Sequence, residues 1–107
     1  MSCVRGDVHE LRAPRGTRGH EQSGARLAVV LQSDDFPLST LLVAPTSTSA
    51  RPRIVRPAIN VNGLHTQVLV EQIAAIAPER LGALIGRLTR TELDDVSKAM
   101  RLVLGLD

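Results

Sequence analysis

Up to residue 88 the apolar side chains come in runs of about five, each closed by turn-forming residues; beyond that point they recur at helical spacing. This change of period constrains the fold more than any other feature. The stretches 27–31 and 41–44 are continuous apolar runs of strand length, and 4–12 alternates loosely through Val4, Val8 and Leu11. Asp34, Asp35 and Pro37 mark the connection between the two runs. Ile54, Val55, Ile59 and Val61 suggest a strand interrupted by Pro57, which a sheet tolerates only at an edge or a bulge. Asn62-Gly63 between apolar residues predicts a hairpin, with its partner strand over 67–76. A short turn at 78–81 and a brief strand at 84–88 follow. Leu93, Val96, Met100 and Val103 then fall at i, i+3, i+7 and i+10, the pattern of one helix with one buried stripe. Thr89-Arg90-Thr91-Glu92 forms a capping box at its start, and Gly105 supplies its stop. Many short strands and one terminal helix specify a mainly β fold: a small, strongly bent antiparallel barrel with the helix packed on it. At 107 residues it reads as a single domain, 1–107.

The core of such a barrel must be aliphatic, because the chain has one Phe and neither Trp nor Tyr. Its only cysteine, Cys3, excludes an intrachain disulfide and suits a reduced, cytoplasmic setting. No signal peptide is expected, and the apolar runs fall far short of the roughly 20 residues that span a bilayer. Cys3, His9 and His65 share no ligand spacing, so neither metal nor cofactor is expected. The net charge of +2 conceals twelve Arg against one Lys. Eight of those Arg lie in residues 1–57, where five acids oppose them. Arg binds phosphate oxygens in pairs, so this half suits a nucleic-acid surface; a compositional bias toward Arg explains the count equally well.

Two polar clusters stand at the ends of apolar runs. Gly19-His20-Glu21-Gln22-Ser23-Gly24-Ala25-Arg26 feeds directly into 27–31, and Pro45-Thr46-Ser47-Thr48-Ser49 closes 41–44. A loop as long as 13–25 within a small domain is more often functional than idle. If the two strands are neighbours, Arg26 and the hydroxyls can converge on one phosphate.

These blocks resemble the MazF/PemK toxins, endoribonucleases of bacterial toxin–antitoxin pairs. Arg5-Gly6-Asp7-Val8-His9 corresponds to the family's opening block, with His in the aromatic place. Gly19-x-Glu21-Gln22-x-Gly24-x-Arg26 corresponds to its second block, with Leu27 for the usual Pro. Pro45-Thr46-Ser47-Thr48 and Glu71-Gln72-Ile73 match the third and fourth, Ser47 standing for the usual Thr. The stretches 77–81, 85–88 and 102–106 follow the family's tail, and Leu69 stands where some members carry Arg. The resemblance implies an SH3-like barrel of the CcdB/PemK type, a homodimer, an antitoxin that covers the cationic loop with a flexible acidic segment, and no metal requirement.

It also implies roles. Metal-free RNA cleavage uses the substrate's 2′-hydroxyl and leaves a 2′,3′-cyclic phosphate and a 5′-hydroxyl; it needs a base, a phosphate clamp and an acid. Arg26 is the expected clamp, against the alternative of a strand-end cap on a carboxylate. Ser47 is the expected donor to the scissile phosphate, with Thr48 second; the alternative is a turn that satisfies its own backbone. Glu21 is the candidate base or else an ion-pair partner, and His20 the candidate acid. Gln22, Thr48, Arg18, Arg51, Arg53 and Glu71 are expected to contact RNA, whereas Gln72 leans toward a structural role. Two other readings remain open: a CcdB-like toxin that binds gyrase without cutting RNA, and an inactive relic that only binds its antitoxin.

Overall fold

The computed structural model describes residues 4–12 and 26–106. They form strands β1 (Asp7–Leu11), β2 (Arg26–Val30), β3 (Leu41–Ser47), β4 (Ala58–Val61), β5 (Leu64–Val68), β6 (Ala74–Ile76) and β7 (Leu81–Arg87), then helix α1 (Arg90–Leu104). The strands make one antiparallel sheet in the order β4-β5-β3-β2-β1-β7, with β6 also paired to β3. The sheet curls until its two outer strands meet. Asn62 Nδ2 donates to the Ile85 carbonyl at 2.7 Å, and a Cβ on Gly86 would stand 3.0 Å from Val61 Cγ1. Glycine at 86 is what lets the edges come so close. The architecture is the expected SH3-like half-barrel with a C-terminal helix.

Strand β2 runs through the middle, between β1 and β3. Val29 and the following Leu31 face a cluster containing Val8, Ile59, Val61, Val68, Val70, Val96 and Ala99, which lies under α1. Ala28 and Val30 face the opposite way, into a second cluster with Val43, Ile76 and Leu81. Both faces of β2 are therefore dry, which is why its sequence is a continuous apolar run rather than an alternation. Every one of the largest fully buried side chains is Val, whose stiff β-branched shape suits a pleated surface.

The hairpin lies where Asn62-Gly63 predicts it: Asn62 has φ 53° and Gly63 φ 83°, as a type I′ turn requires. Residues 54 and 55 form a turn, and β4 begins after Pro57 at the sheet edge, as a strand carrying Pro must. The segment 67–76 is not one strand. β5 ends at Val68, the chain makes a 3-10 turn over Val70–Gln72, and β6 pairs with a different part of β3. Pro45 accounts for the break. Its carbonyl accepts from Leu69 N at 2.9 Å, so its missing N–H would face the same edge. The ladder on that edge of β3 has a gap there, and the chain turns within it. β7 starts three residues before the expected 84, and the first strand is shorter than 4–12.

Helix α1 begins with the predicted capping box: Thr89 Oγ1 accepts from Glu92 N at 3.1 Å and Glu92 Oε1 from Thr89 N at 2.9 Å. Glu92 Oε2 also accepts from Asn60 N at 2.9 Å, so one carboxylate both caps the helix and fastens it to β4. Gly105, at φ 72°, ends it in a Schellman arrangement with Leu106 N donating to Arg101 O. The buried stripe is shorter than expected. Val96 and Ala99 are buried and Leu93 and Met100 half-buried, but Val103 is exposed because the last turn runs past the sheet. Among the described residues no helix is long and apolar enough to cross a membrane. Glu92→Ala removes acceptors from two backbone donors and is expected to lower stability by about 1–2 kcal/mol in urea unfolding, against about 1 kcal/mol for Thr89→Ala. Equal losses would show that the Asn60 contact contributes nothing.

Candidate active site

The β2–β3 register pairs Ala28 with Pro45 and Val29 with Ala44. Continued by two residues, it sets Arg26 opposite Ser47. The same end of β3 pairs with β5 through Thr46–Val68 and Ser47–Gln67, which carries Thr48 toward Thr66. Three strand ends thus open onto one cleft of about 520 Å³, lined by Arg26, Leu27, Thr46, Ser47, Thr48, Ser49, Leu64, Thr66, Leu69 and Gln72. Arg26 is exposed at the edge of the buried run, and none of the ion pairs among the described residues engages it. Ser47 Oγ accepts from Ser49 N at 3.2 Å. That turn satisfies one lone pair of the oxygen and leaves the hydroxyl proton able to donate. The turn and the donor role are therefore compatible. The chemistry available is anion binding by Arg26 next to a hydroxyl donor.

One wall of the cleft is held from outside. Arg56 Nε and Nη2 both donate to Glu71 Oε2, at 3.0 and 2.8 Å, while Arg56 Nη1 donates to the Arg51 carbonyl at 3.0 Å. Gln67 Nε2 reaches the Ala50 carbonyl at 2.6 Å. These contacts fasten the 48–57 segment to β5 and to the 3-10 turn that carries Gln72. Hydrogen bonding from Arg56 holds the Glu71 carboxyl below its ordinary value.

Of the residues expected from sequence, Arg26, Ser47 and Thr48 meet in the cleft. Gln72 lines it too, although it leaned structural. Arg51, Arg53 and Glu71 are not among its lining residues, and Glu71 is engaged by Arg56. His20, Glu21, Gln22 and Arg18 lie outside the described residues. His9, which takes the aromatic place, is buried on β1, with Nδ1 3.0 Å from the Gly82 carbonyl. Sequence reasoning missed Thr66 and Leu64. A signal was present: counting from the hairpin, Leu64, Thr66 and Val68 share one strand face, and Thr66 is its only polar member. Among the described residues no group of three His, Cys, Asp or Glu side chains is placed to hold a metal.

Comparison with known proteins gives a consistent result. The family model described as "PemK-like, MazF-like toxin of type II toxin-antitoxin system" matches residues 4–104. A Mycobacterium tuberculosis protein named "Putative toxin Rv3098A/RVBD_3098A" is 39% identical over 104 residues, covering 96% of this chain and 98% of that protein. Among solved structures, an endoribonuclease in complex with its cognate antitoxin, from a mycobacterial species, superposes with a TM-score of 0.80 at 18% identity, over 99% of this chain and 98% of that one. MazF from Deinococcus radiodurans gives a TM-score of 0.78 at 19% identity over 99% of both chains. At such identities the two structures establish a shared fold.

The Arg56–Glu71 clamp carries a pH signature. Because the folded-state value of Glu71 is lowered, its stabilising contribution is complete above the ordinary 4.5 and is lost as pH falls through the lowered value. The melting-temperature gap between wild type and Glu71→Gln should therefore be widest at neutral pH and close in acid. A gap that stays constant from pH 7 to below 4 would show that the charge does not matter.

Proposed function

This chain belongs to the PemK-like, MazF-like toxins of type II toxin–antitoxin systems, and we propose that it is a metal-independent, sequence-selective endoribonuclease acting as one domain, 1–107, on single-stranded RNA in the cytoplasm. The observation that carries this reading is the convergence of Arg26 and the Ser47 hydroxyl on one cleft at the shared end of β2 and β3. The structural relative described as an endoribonuclease supports it through the common fold. RNA carries its own nucleophile, so the protein has only to position the phosphate, move protons and stabilise charge.

In the proposed reaction the 2′-oxygen attacks the adjacent phosphorus, a P–O2′ bond forms, and the P–O5′ bond breaks. The 2′ proton passes to a base, for which Glu21 is the candidate. The departing 5′-oxygen takes a proton from an acid, for which His20 is the candidate. Arg26 binds the equatorial phosphate oxygens, whose negative charge grows toward the transition state, and Ser47 donates to the same group. Arg26 does not serve as the acid, because a guanidinium keeps its protons at any physiological pH. Thr48 is the second choice for the donor. Arg18 and Gln22, which precede β2 in the sequence, and Arg51 and Arg53, beyond β3, would contact the RNA backbone. Glu71 would act on RNA only if released from Arg56; held there, it shapes the wall instead.

The family assignment brings a protein antitoxin as partner. We extend this to a homodimer whose cationic clefts are covered by a flexible acidic segment of that antitoxin. Carboxylates lying across the cleft would occupy the phosphate site of Arg26 and so exclude RNA.

The test is incubation of the purified protein with a mixed-sequence RNA in EDTA, with the ends mapped chemically. Discrete cuts bearing a cyclic phosphate and a 5′-hydroxyl are expected, with the rate falling roughly a hundredfold or more in Arg26→Ala. Ser47→Ala should lose roughly tenfold while Ser47→Thr keeps activity. Toxicity that survives Arg26→Ala without any RNA cleavage would instead indicate a toxin that acts by binding, as a gyrase poison does.

A further inference from the structure

We propose that Thr66 reads the edge of a nucleobase held in the inner part of the cleft, and so helps to set which RNA sequence is cut; this rests on the nuclease reading above. Thr66 is 3% exposed, and its Oγ1 is one of two buried side-chain polar atoms among the described residues with no hydrogen-bond partner. A buried hydroxyl without a partner disfavours the folded state, so its presence needs a reason. Packing supplies none. On the same strand face Val68 is fully buried in the aliphatic core, and a Val at 66 would fill the same space with no polar atom to satisfy. The residue also lines the cleft that holds Arg26 and Ser47. Its hydroxyl is thus an unused donor and acceptor at the one place where a ligand is expected.

The surroundings select a base over a phosphate. Leu27, Leu64 and Leu69 supply apolar surface beside Thr66, and Leu69 is itself buried. A phosphate among these leucines would lose its hydration, and among the described residues the one cation lining the cleft, Arg26, is exposed and receives the phosphate in water. A base has the opposite needs: flat apolar faces and a polar rim. Among the described residues no aromatic ring lines the cleft, so the faces would lie against leucine side chains, and identity would depend on hydrogen bonds at the edge. Thr66 can donate or accept there, and Gln72, another lining residue, can do both at once through its amide. A base reaches the buried Thr66 hydroxyl only when a neighbouring side chain moves aside, and Leu64, 45% exposed, is the least confined of the three leucines. Discrimination is sharpened because a wrong base leaves the hydroxyl unpaired in a dry site.

The experiment compares wild type, Thr66→Val and Thr66→Ser by cleavage of a randomised RNA library, kcat and KM on the preferred site and its single-base variants, and thermal unfolding. Thr66→Val should fold with an unchanged or raised melting temperature. It should lose about tenfold in kcat/KM on the preferred site and relax its preference at one nucleotide position only. Thr66→Ser, which keeps the hydroxyl, should restore that preference. Cleavage by Thr66→Val with wild-type preference at every position would overturn the assignment. So would a uniform loss of activity and stability shared by both variants, which would mark Thr66 as a packing residue. A wild-type protein that cuts no RNA would bring down the nuclease reading and this inference with it; wild-type cutting with an indifferent Thr66→Val defeats this inference alone.

Discussion

Everything at the candidate site depends on the burial of one short strand from both sides. Ala28, Val29 and Val30 are each completely inaccessible, two facing one cluster and one the other. Such a strand cannot tilt or slip by one residue without exchanging its faces. Its far end is tied as well: the Val30 carbonyl accepts from Gly6 N at 2.8 Å, and the Leu31 carbonyl accepts from Arg5 Nη1 at 2.6 Å. Arg26 is therefore an exposed side chain at the start of a strand that is buried on both faces. The backbone position is set by hydrophobic burial that begins two residues away, while the guanidinium remains in solvent, where it can meet a phosphate.

The opening block of the chain belongs to the same arrangement. Arg5 Nη2 also donates to Ser97 Oγ on α1 at 2.7 Å, so this residue joins the end of β2 to the helix. Gly6 has φ 95°, a conformation that side chains rarely adopt, and lets the chain turn into β1. Asp7 is buried and accepts from Arg87 Nε at 3.0 Å and from Val4 N at 3.1 Å. Arg12 and Arg80 bond the carbonyls of Glu79 and Arg12, and Arg56 bonds Glu71. Much of the arginine excess thus serves to connect elements of a small barrel. Five of the twelve arginines, Arg5, Arg12, Arg56, Arg80 and Arg87, are engaged within the fold rather than on an RNA-facing surface. The cationic half of the chain contributes a single guanidinium, Arg26, to the lining of the cleft among the described residues.

What was legible in the sequence is what local chemistry decides. Asn62-Gly63 had to be a hairpin because two successive left-handed residues suit little else, and Thr89–Glu92 had to begin a helix because the box satisfies donors at both ends. The convergence of Arg26 with Ser47 was legible only as a condition, that two apolar runs be neighbours. What was illegible is partner choice. The apolar stretch after the hairpin reads as one long strand, yet β3 is shared: its start pairs with β6 and its end with β5. The changeover sits at Pro45, whose missing donor matters only once its neighbour is known. That same changeover brings Gln72 to the cleft, so a residue that seemed structural from its place in a strand gains its position from the absence of one. Val103 was misjudged for a related reason, since helical periodicity gives the side of a helix that is apolar but not how far the sheet beneath it extends.

Two of the three substitutions noted within the site, Ser47 and Leu69, have a common physical sense. Ser47 lacks the methyl that would restrict a Thr rotamer, but Ser49 N holds its oxygen at 3.2 Å, so a local turn replaces a branched side chain as the restraint. Leu69, where the family resemblance leads one to expect Arg in some members, is instead a buried apolar wall. Among the described residues Arg26 is the one guanidinium of the lining, and Leu27, Leu64 and Leu69 give the part around Thr66 and Gln72 an apolar character. A cleft arranged in this way separates its tasks by polarity: the charged, hydrated part suits the phosphate that would react, and the dry part suits the base that would be recognised. The boundary between the two is β3, whose last residues lie between Arg26 on one strand and Thr66 on another. The seven residues of β3, which change partner on one edge at Pro45, thereby decide both what is held and where it lies relative to the hydroxyl of Ser47.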